Sequence, residues 1–186
     1  ARGRALLAEA GFTPQRPLAF KVMVSTSGSG QMLPLPMNEF LQQTLREACG
    51  VNLSFEVTEW NALLTAVRAG PTAPAVMGSH AINVSSPSSD PSVAARYFLQ
   101  AFVPPNGFNW PQWTDPTFEE AFAALENARD PAEFAAAYAR AHERIVDNPP
   151  WLFIVHDLNP RAMSRRVRGF TSAQSWFQDL VPVDLQ

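Results

Sequence analysis

The sequence predicts an α/β domain in which a mixed β-sheet is flanked by helices. Segments with the two-residue period of strands alternate with segments that have the 3.6-residue period of helices. Hydrophobic residues make up 46% of the chain and charged residues 17%, so a buried core can form. The length of 186 residues fits one large domain, or one domain followed by a tail.

The first half of the chain alternates helical and extended patterns. A helix is predicted over residues 2–10 and ends at Gly11, and strands are predicted over 18–25 and 51–57. Glycines also end the helices predicted over 37–50 and 59–70, and a further strand follows between 71 and 86. The predicted inward faces are Met37, Phe40, Leu41, Thr44, Leu45 and Ala48 in the first of these two helices, and Val51, Leu53, Phe55 and Val57 in the second strand.

Three Asp-Pro pairs mark predicted helix starts in the second half. Aspartate at the N-cap accepts free amides of the first turn, and proline at the first helical position loses no hydrogen bond. The pairs begin at Asp90, Asp115 and Asp130, and Glu133 stands in capping-box position after the third. The predicted inward faces are Phe118, Phe122 and Leu125 in one helix, and Phe134, Tyr138, Ala141 and Ile145 in the next. The continuous apolar run over 149–157 predicts a strand buried on both faces.

Composition and motifs argue against several classes of function. The net charge of −3 does not attract nucleic acid, and the arginines of 161–168 most simply solvate an edge. No apolar run reaches the ~18 residues of a membrane span. The absence of metal-ligand spacing and of phosphate-loop or nucleophile-elbow motifs predicts no metal, no cofactor and no catalytic residue. Cys49 is expected to be a small buried hydrophobe, His142 to face solvent and His156 to be structural.

Two segments carry groups that suit the recognition of a small molecule. His80 is predicted near the end of a strand that faces a polar, uncharged loop, and binding sites gather at such strand ends. In "PPNGFNWPQW" (104–113), Asn109 and Trp110 offer an amide that orients a ligand and a ring that stacks on it. For Trp113, packing in the core is an equally good interpretation.

The order of several segments resembles a known family. "RALLAEAGF", "FKVMVSTS", "FLQQTLREACGVNLSFEVTEWNALLTAVRAG", "SSDPSVAARYF", "NGFNWPQWTDPTFEEAFAAL" and "NPPWLFIVHDLNPRAMSRRVRGF" follow one another as in the second lobe of extracellular solute-binding proteins of the peptide/nickel class, family 5. The resemblance covers nearly the whole chain. It implies a lobe like those of type II periplasmic binding proteins, and a capture component of a bacterial ABC importer.

The resemblance also implies how this lobe would work. Residues 1–166 would form the second lobe, and 167–186 would return to a first lobe that is missing here. The polar loop would be half of a ligand cleft, to which His80, Asn83, Ser85 and Ser86 contribute ring, amide and hydroxyl groups. The two lobes would close on a small-molecule solute by a hinge motion, without chemistry, and deliver it to an ABC permease from the periplasm.

The same resemblance bears on the class of solute. In peptide-binding members an aspartate three residues before the acidic-Pro pair holds the peptide's amino terminus, and the matching position here is Pro87. An unpaired buried ammonium is costly, so the expected solute is neutral or anionic and is not a standard peptide.

Two other functions are considered beside solute capture. One is a small α/β hydrolase or transferase that uses His80 or His156 with Asp157. The other is an interaction module that docks through its apolar tail, which is expected to dimerise or to fold back onto its own domain. The abrupt start within a helical pattern predicts that the chain is a piece of a longer one.

Overall fold

A three-stranded parallel sheet forms the centre of the molecule in a computed structural model that describes residues 2–86, 91–156, 160–173 and 177–186. The strand order is β2-β1-β3, and both neighbours of β1 run parallel to it. The elements are α1 (Arg2–Glu9), β1 (Ala19–Ser25), α2 (Pro34–Cys49), β2 (Asn52–Thr58), α3 (Trp60–Ala69), β3 (Ala81–Ile82), α4 (Ala95–Phe98), α5 (Pro116–Glu126), α6 (Pro131–Asp147), β4 (Val167–Arg168) and β5 (Asp184–Leu185). The predicted α/β fold is therefore confirmed, and antiparallel pairing occurs in the separate ribbon of β4 and β5.

The central strand β1 is covered by helices on both faces. Met23 is fully buried against α3, in a cluster with Leu63 and Ala66. Val22 and Val24 point to the opposite face, where Leu45 of α2 packs against them. Each such side chain contributes about 1.5–3 kcal/mol through burial, so β1 is the best-stabilised strand. A parallel strand buried on both faces has a nearly continuous apolar sequence, which explains why residues 18–25 alternate only weakly between apolar and polar side chains.

The inward face of α2 differs from the predicted one. The helix begins at Pro34, and its buried side includes Asn38, whose Nδ2 donates to the Pro34 carbonyl oxygen at 2.7 Å. Gln42 Nε2 donates to the Leu53 carbonyl oxygen at 2.7 Å. Because backbone acceptors satisfy these amides, polar side chains occupy the inner face and Phe40 is 69% exposed. Thr44 and Ala48 are exposed as well, and so is Val57 in the strand β2.

The predicted N-caps of α5 and α6 are confirmed. Asp115 accepts a hydrogen bond from Phe118 N, and Asp130 accepts from Ala132 N and Glu133 N. In a capping box the Glu133 carboxylate would accept from the amide of the N-cap residue Asp130. Here it accepts instead from the amide of the preceding residue, Arg129, at 2.9 Å. Asp90 lies outside the described residues; the chain resumes with a 3₁₀ turn over Pro91–Ala94 that leads into α4.

A second core joins α4, α5 and α6. Phe98, Phe118 and Phe122 are buried there, with Trp113 and Trp151 packed against them edge-on. On α6 the buried residues are Ala137 and Ala141, because small side chains let the two helices approach closely. The predicted inward positions Phe134 and Tyr138 are instead 39% and 43% exposed, and their rings stack on each other at 6.4 Å.

The apolar segments near the C-terminus are largely exposed. Residues 151–156 form no strand, and Leu152 and Phe153 are 71% and 59% exposed, so the predicted buried strand is wrong for this part. The reason is that Trp151 packs on the helical core of α4, α5 and α6, so the segment runs past these helices and pairs with no described strand. Among its described residues the tail forms strand pairs only between β4 and β5, and Val181 is 94% exposed. Within the described ranges, no helix combines the length and the apolar character needed to span a bilayer.

An ion pair ties the cap of α5 to α6. Arg144 Nη2 and Nε donate to Asp115 Oδ2 at 2.8 and 3.1 Å, and the Asp115 side chain is almost fully buried. The hydrogen bond from Arg144 lowers the pKa of Asp115 from its ordinary value of 3.8, and the amide of Phe118 adds to this against the opposing effect of burial. The carboxylate therefore stabilises the helix pair as long as it stays ionised.

Replacing Asp115 with asparagine should lower the melting temperature by at least about 4 °C, because the ion pair is lost while the amide still caps the helix. Asp130→Asn is the matched control, since Asp130 caps α6 without an ion pair in the described part of the chain. Calorimetry should show that the difference between wild type and Asp115→Asn is complete above pH 3.8, the ordinary pKa, and shrinks at lower pH. A difference that stays constant down to about pH 2.5 would contradict the role of this ion pair.

Candidate functional site

The parallel sheet collects three loops at one edge. The carboxyl ends of β1, β2 and β3 lie on the same side, so residues 26–33, 59–60 and 83–86 meet there. We call these residues the carboxyl edge. In open α/β sheets ligands bind at this side, outside the carboxyl ends of the strands. The carboxyl edge is thus the expected position of a binding site.

Asn83 supplies a buried polar group at the carboxyl edge. Its backbone N donates to the Met23 carbonyl oxygen at 2.9 Å, which extends the pairing of β3 with β1. The side chain is 9% exposed, and its Oδ1 has no hydrogen-bond partner among the described residues. A buried carbonyl oxygen without a partner costs free energy until water or a ligand donates to it. Of the predicted site residues, Asn83 is the one whose amide is both buried and available.

Two tryptophans pack beside the residues that precede and follow this asparagine. Trp60 and Trp110 both pack against the cluster around Met23, together with Ile82 and Val84 of the third strand and its loop. Both rings are half-buried, and the Nε1 of Trp110 is buried without a partner in the described part of the chain. Partly exposed indoles beside free amides are typical of small-molecule sites. Trp110 was predicted from the sequence, whereas Trp60 was missed.

The loop after β1 is fitted to Trp60. Gly28 has a φ of +76°, and a Cβ at that position would lie 2.8 Å from the Cβ and Cγ of Trp60. Glycine is therefore required both for the turn and for the close approach. Gln31 in the same loop has a buried Oε1 without a partner among described residues. A tryptophan placed directly after a strand and at the start of a helix was the sequence signal that could have identified Trp60.

The two predicted serines are half-buried and lie after β3. Ser86 Oγ donates to the Tyr97 hydroxyl oxygen at 3.2 Å, which links the loop to α4. Arg96, the neighbour of Tyr97, places its guanidinium carbon 4.5 Å from the centroid of the Phe108 ring. Asn83, Ser85 and Ser86 therefore lie together in the short segment after β3. Val84 of this segment and Trp110 pack against the same core cluster.

His80 lies before the amino end of β3, whereas the sequence predicted it near the carboxyl end of a strand. It precedes β3, where its backbone N donates to the Lys21 carbonyl oxygen at 2.8 Å and its Nδ1 accepts from Lys21 N at 3.2 Å. The ring thus takes the place of a backbone acceptor in the ladder between β1 and β3. The prediction was wrong about its position, because the strand begins after His80 rather than before it.

Asn109 has a structural role in place of the predicted ligand contact. It is fully buried, its Nδ2 donates to the carbonyl oxygens of Leu99 and Trp113, and its Oδ1 accepts from Trp113 N. The amide therefore fixes the loop that carries Trp110 and has no free group for a solute. An amide flanked by aromatic residues has the same sequence pattern whether it turns inward or outward, so only the fold decides.

The carboxyl edge is open rather than enclosed. A depression of about 730 Å³ lies on the outer side of α2 and one of about 320 Å³ lies between α5 and α6, and no residue of the carboxyl edge lines either. Residues 26–33, 83–86 and 106–114 carry no charged side chain, and Glu59 uses its carboxylate to cap α3. Among the described residues no three His, Cys, Asp or Glu side chains are grouped to hold a metal ion. The arrangement can bind polar and aromatic groups, but a second wall is needed to enclose them.

Comparison with known proteins supports this view of the molecule. No family model matches the chain. Over 187 residues the chain is 25% identical to di/tripeptide-binding protein 2 of Pseudomonas aeruginosa, with 99% of the chain and 33% of that protein covered. Over 166 residues it is 25% identical to the periplasmic oligopeptide-binding protein OppA of Salmonella typhimurium, with 89% and 28% covered. These homologues are family 5 solute-binding proteins.

The fold agrees with that of solved family 5 proteins. The dipeptide-binding protein of Pseudoalteromonas sp. SM9913, crystallised with Met-Leu, superposes with a TM-score of 0.75 at 21% identity and covers 98% of this chain and 35% of its own. The predicted fold, that of a periplasmic binding protein lobe, is confirmed. The chain spans about a third of the length of the curated relatives it matches. The predicted periplasmic localisation agrees with that of the homologues.

Asn109→Ala should lower the free energy of unfolding by about 3 kcal/mol, because it leaves several buried backbone groups unpaired and opens a cavity. Asn106→Ala in the same loop is the control, since Asn106 is exposed, and we expect a change within about 0.5 kcal/mol. Urea denaturation of both variants measures the difference. If Asn109→Ala leaves the stability unchanged but removes affinity for the solute, Asn109 contacts the ligand as the sequence predicted.

Proposed function

We propose that this chain supplies one side of a ligand cleft in a solute-capture protein of an ABC-type importer. The carboxyl edge would bind one face of the solute, and a first lobe would close over the other face by a hinge motion. The observation that carries the proposal is that the carboxyl ends of one parallel sheet hold a buried, unpartnered Asn83 Oδ1, while two half-buried tryptophans pack with Val84, the residue next to it. The homologues, which are binding proteins of importers, support the same function.

The exposed apolar residues near the C-terminus supply a second argument. Phe153, Phe177 and Val181 are 59%, 75% and 94% exposed, and apolar side chains that gather in one exposed patch are typical of a surface that a partner covers. In a chain that matches only a third of its relatives, a further lobe would cover them. We propose that residues 1–166 form the second lobe and that 167–186 return to the first.

The solute is proposed not to be a standard peptide, although the names of the relatives describe peptide-binding proteins. The position of the expected aspartate is Pro87, which lies outside the described residues. Glu59, the carboxylate within the described carboxyl edge, already accepts hydrogen bonds from Asn61 N and Ala62 N. At the position of the expected aspartate a free ammonium would meet a proline and no carboxylate, which disfavours its burial there.

A non-enzymatic role is part of this proposal. The alternative needed His80 or His156 beside Asp157. His80 Nδ1 is engaged by Lys21 N at the side of the sheet away from the tryptophans. Asp157 lies outside the described residues, and the relatives are named as binding proteins rather than enzymes.

Capture can be tested with the full-length protein by native mass spectrometry of the co-purified solute. We expect one solute to be retained, and Trp110→Ala and Asn83→Ala to reduce its affinity at least about ten-fold by calorimetric titration, the loss of one good contact. Tyr138→Ala removes an exposed ring on α6 and should leave the affinity unchanged. A solute that binds all four proteins equally would place the site elsewhere, and turnover of the solute would refute capture without chemistry.

The covering of the C-terminal apolar surface can be tested with the 186-residue chain. Without a first lobe we expect it to self-associate through the tail, so that sedimentation velocity shows dimers at tens of micromolar or above. Leu180→Ser combined with Val181→Ser should restore the monomer, whereas Val146→Ser on α6, which is 59% exposed, should not. A chain that stays monomeric at every concentration would contradict the proposed docking surface.

A further inference from the structure

Arg96 stands on an aromatic platform beside the carboxyl edge. Its guanidinium carbon lies 4.5 Å from the centroid of the Phe108 ring and 5.2 Å from that of Tyr97. The platform is anchored to the same backbone, because Phe108 N donates to the Arg96 carbonyl oxygen at 3.1 Å. A guanidinium held against aromatic rings loses little further freedom when its N–H groups bind a ligand.

The charge of Arg96 is not used by the described part of the protein. The ion pairs there are Lys21 with Glu56, and Arg144 with Asp115 and Asp147. The side chain of Arg4 donates to carbonyl oxygens at the end of α2. Arg96 is exposed, and within the described residues its contacts are the two rings alone, so its planar set of N–H donors is open to a ligand.

A second donor lies beside this cation. The Ser86 and Tyr97 hydroxyl oxygens lie 3.2 Å apart, and when Ser86 Oγ donates, the phenolic hydrogen of Tyr97 can bind a ligand. Tyr97 also contacts Phe108, with ring centroids 6.1 Å apart. The cation and the hydroxyl thus share one cluster of rings, at the place where the loop after β3 reaches α4.

The surroundings favour one negative charge on an organic molecule. One guanidinium makes one bidentate pair and balances one charge, and residues 83–86 and 106–114 add no further cation. A phosphate group carries about −1.5 to −2 at neutral pH and would be left partly uncompensated. Phe108 is followed two positions later by Trp110, whose half-exposed ring suits an apolar body next to the charged group.

We infer that Arg96, on its platform of Phe108 and Tyr97, is a subsite for the carboxylate of a solute that carries no ammonium group. This inference rests on the proposed function, because it assigns an end of the same solute. Arg96 binds the carboxylate through two N–H donors, and the Tyr97 hydroxyl donates a third hydrogen bond. The body of the solute lies toward Trp110 and Asn83.

The test is calorimetric titration of the full-length protein at low salt with benzoate, benzamide and benzylamine. We expect benzoate to bind about ten-fold more tightly than benzamide, and benzylamine not to bind, since only the first offers a carboxylate to a guanidinium. Phenyl phosphate, the second anionic probe, should bind more weakly than benzoate. Equal affinities for benzoate and benzamide, or a preference for phenyl phosphate, would overturn the inference.

Three variants locate the subsite. Arg96→Gln should abolish the preference for benzoate over benzamide, and Arg96→Lys should lose most of it, because an ammonium keeps the charge without the planar pair of donors. Arg129→Gln removes another exposed arginine, at the start of α6, and should leave the preference intact. A preference that survives in Arg96→Gln would place the anion elsewhere.

Failure of this inference and failure of the proposed function can be told apart. One outcome is that the protein retains a solute whose affinity depends on Trp110 and Asn83 and yet binds benzoate no more tightly than benzamide. In that case solute capture is supported and the carboxylate subsite is refuted. If no solute is retained or captured while the preference for benzoate follows Arg96, the subsite stands and the importer function falls.

Discussion

The parallel pairing of β1 with both of its neighbours is the constraint on which the molecule depends. The register runs from Ala19 opposite Asn52 to Ser25 opposite Thr58 on one side, and places Val22 opposite Ala81 on the other. Parallel strands cannot be joined by short turns, so α2 and α3 must cross the two faces of the sheet and cover β1. Because the three strands run in the same direction, the loops that follow them all lie at one edge of the sheet, where the candidate site is found.

The polar groups of this protein fall into two sets. Asp115, Arg144 and Asn109 satisfy one another or the backbone, and they hold the helical core and the loop that carries Trp110. Asn83 Oδ1 and Trp110 Nε1 are equally buried but have no partner among the described residues. Ser79 Oγ and Trp113 Nε1 are also buried without a described partner, so Asn83 and Trp110 are candidates for a ligand because of their place near the carboxyl edge as well as their unpaired atoms.

Under the proposed function, the open edge and the exposed apolar residues would share one explanation. A half-cleft encloses a solute poorly, because much of the ligand stays in water and little of the ordering cost is repaid. Leu152, Phe153 and Val181 are likewise left largely exposed by the described chain. A first lobe would supply both the second wall of the cleft and the cover for these side chains, which is why the two features fit a chain that spans a third of its relatives.

The sequence by itself determined the α/β class, the glycine stops and the aspartate caps, because these follow from local backbone chemistry that needs no distant partner. It also singled out Asn83 and Ser86, which follow β3, and Trp110 in the loop before α5, and their contact with a ligand stays a prediction. Only the tertiary structure decided which faces of α2 and α6 turn inward, since that depends on which carbonyl groups and small residues lie opposite. It alone placed His80 before its strand and closed Asn109 onto the backbone, because strand limits and hydrogen-bond partners are set by residues far along the chain.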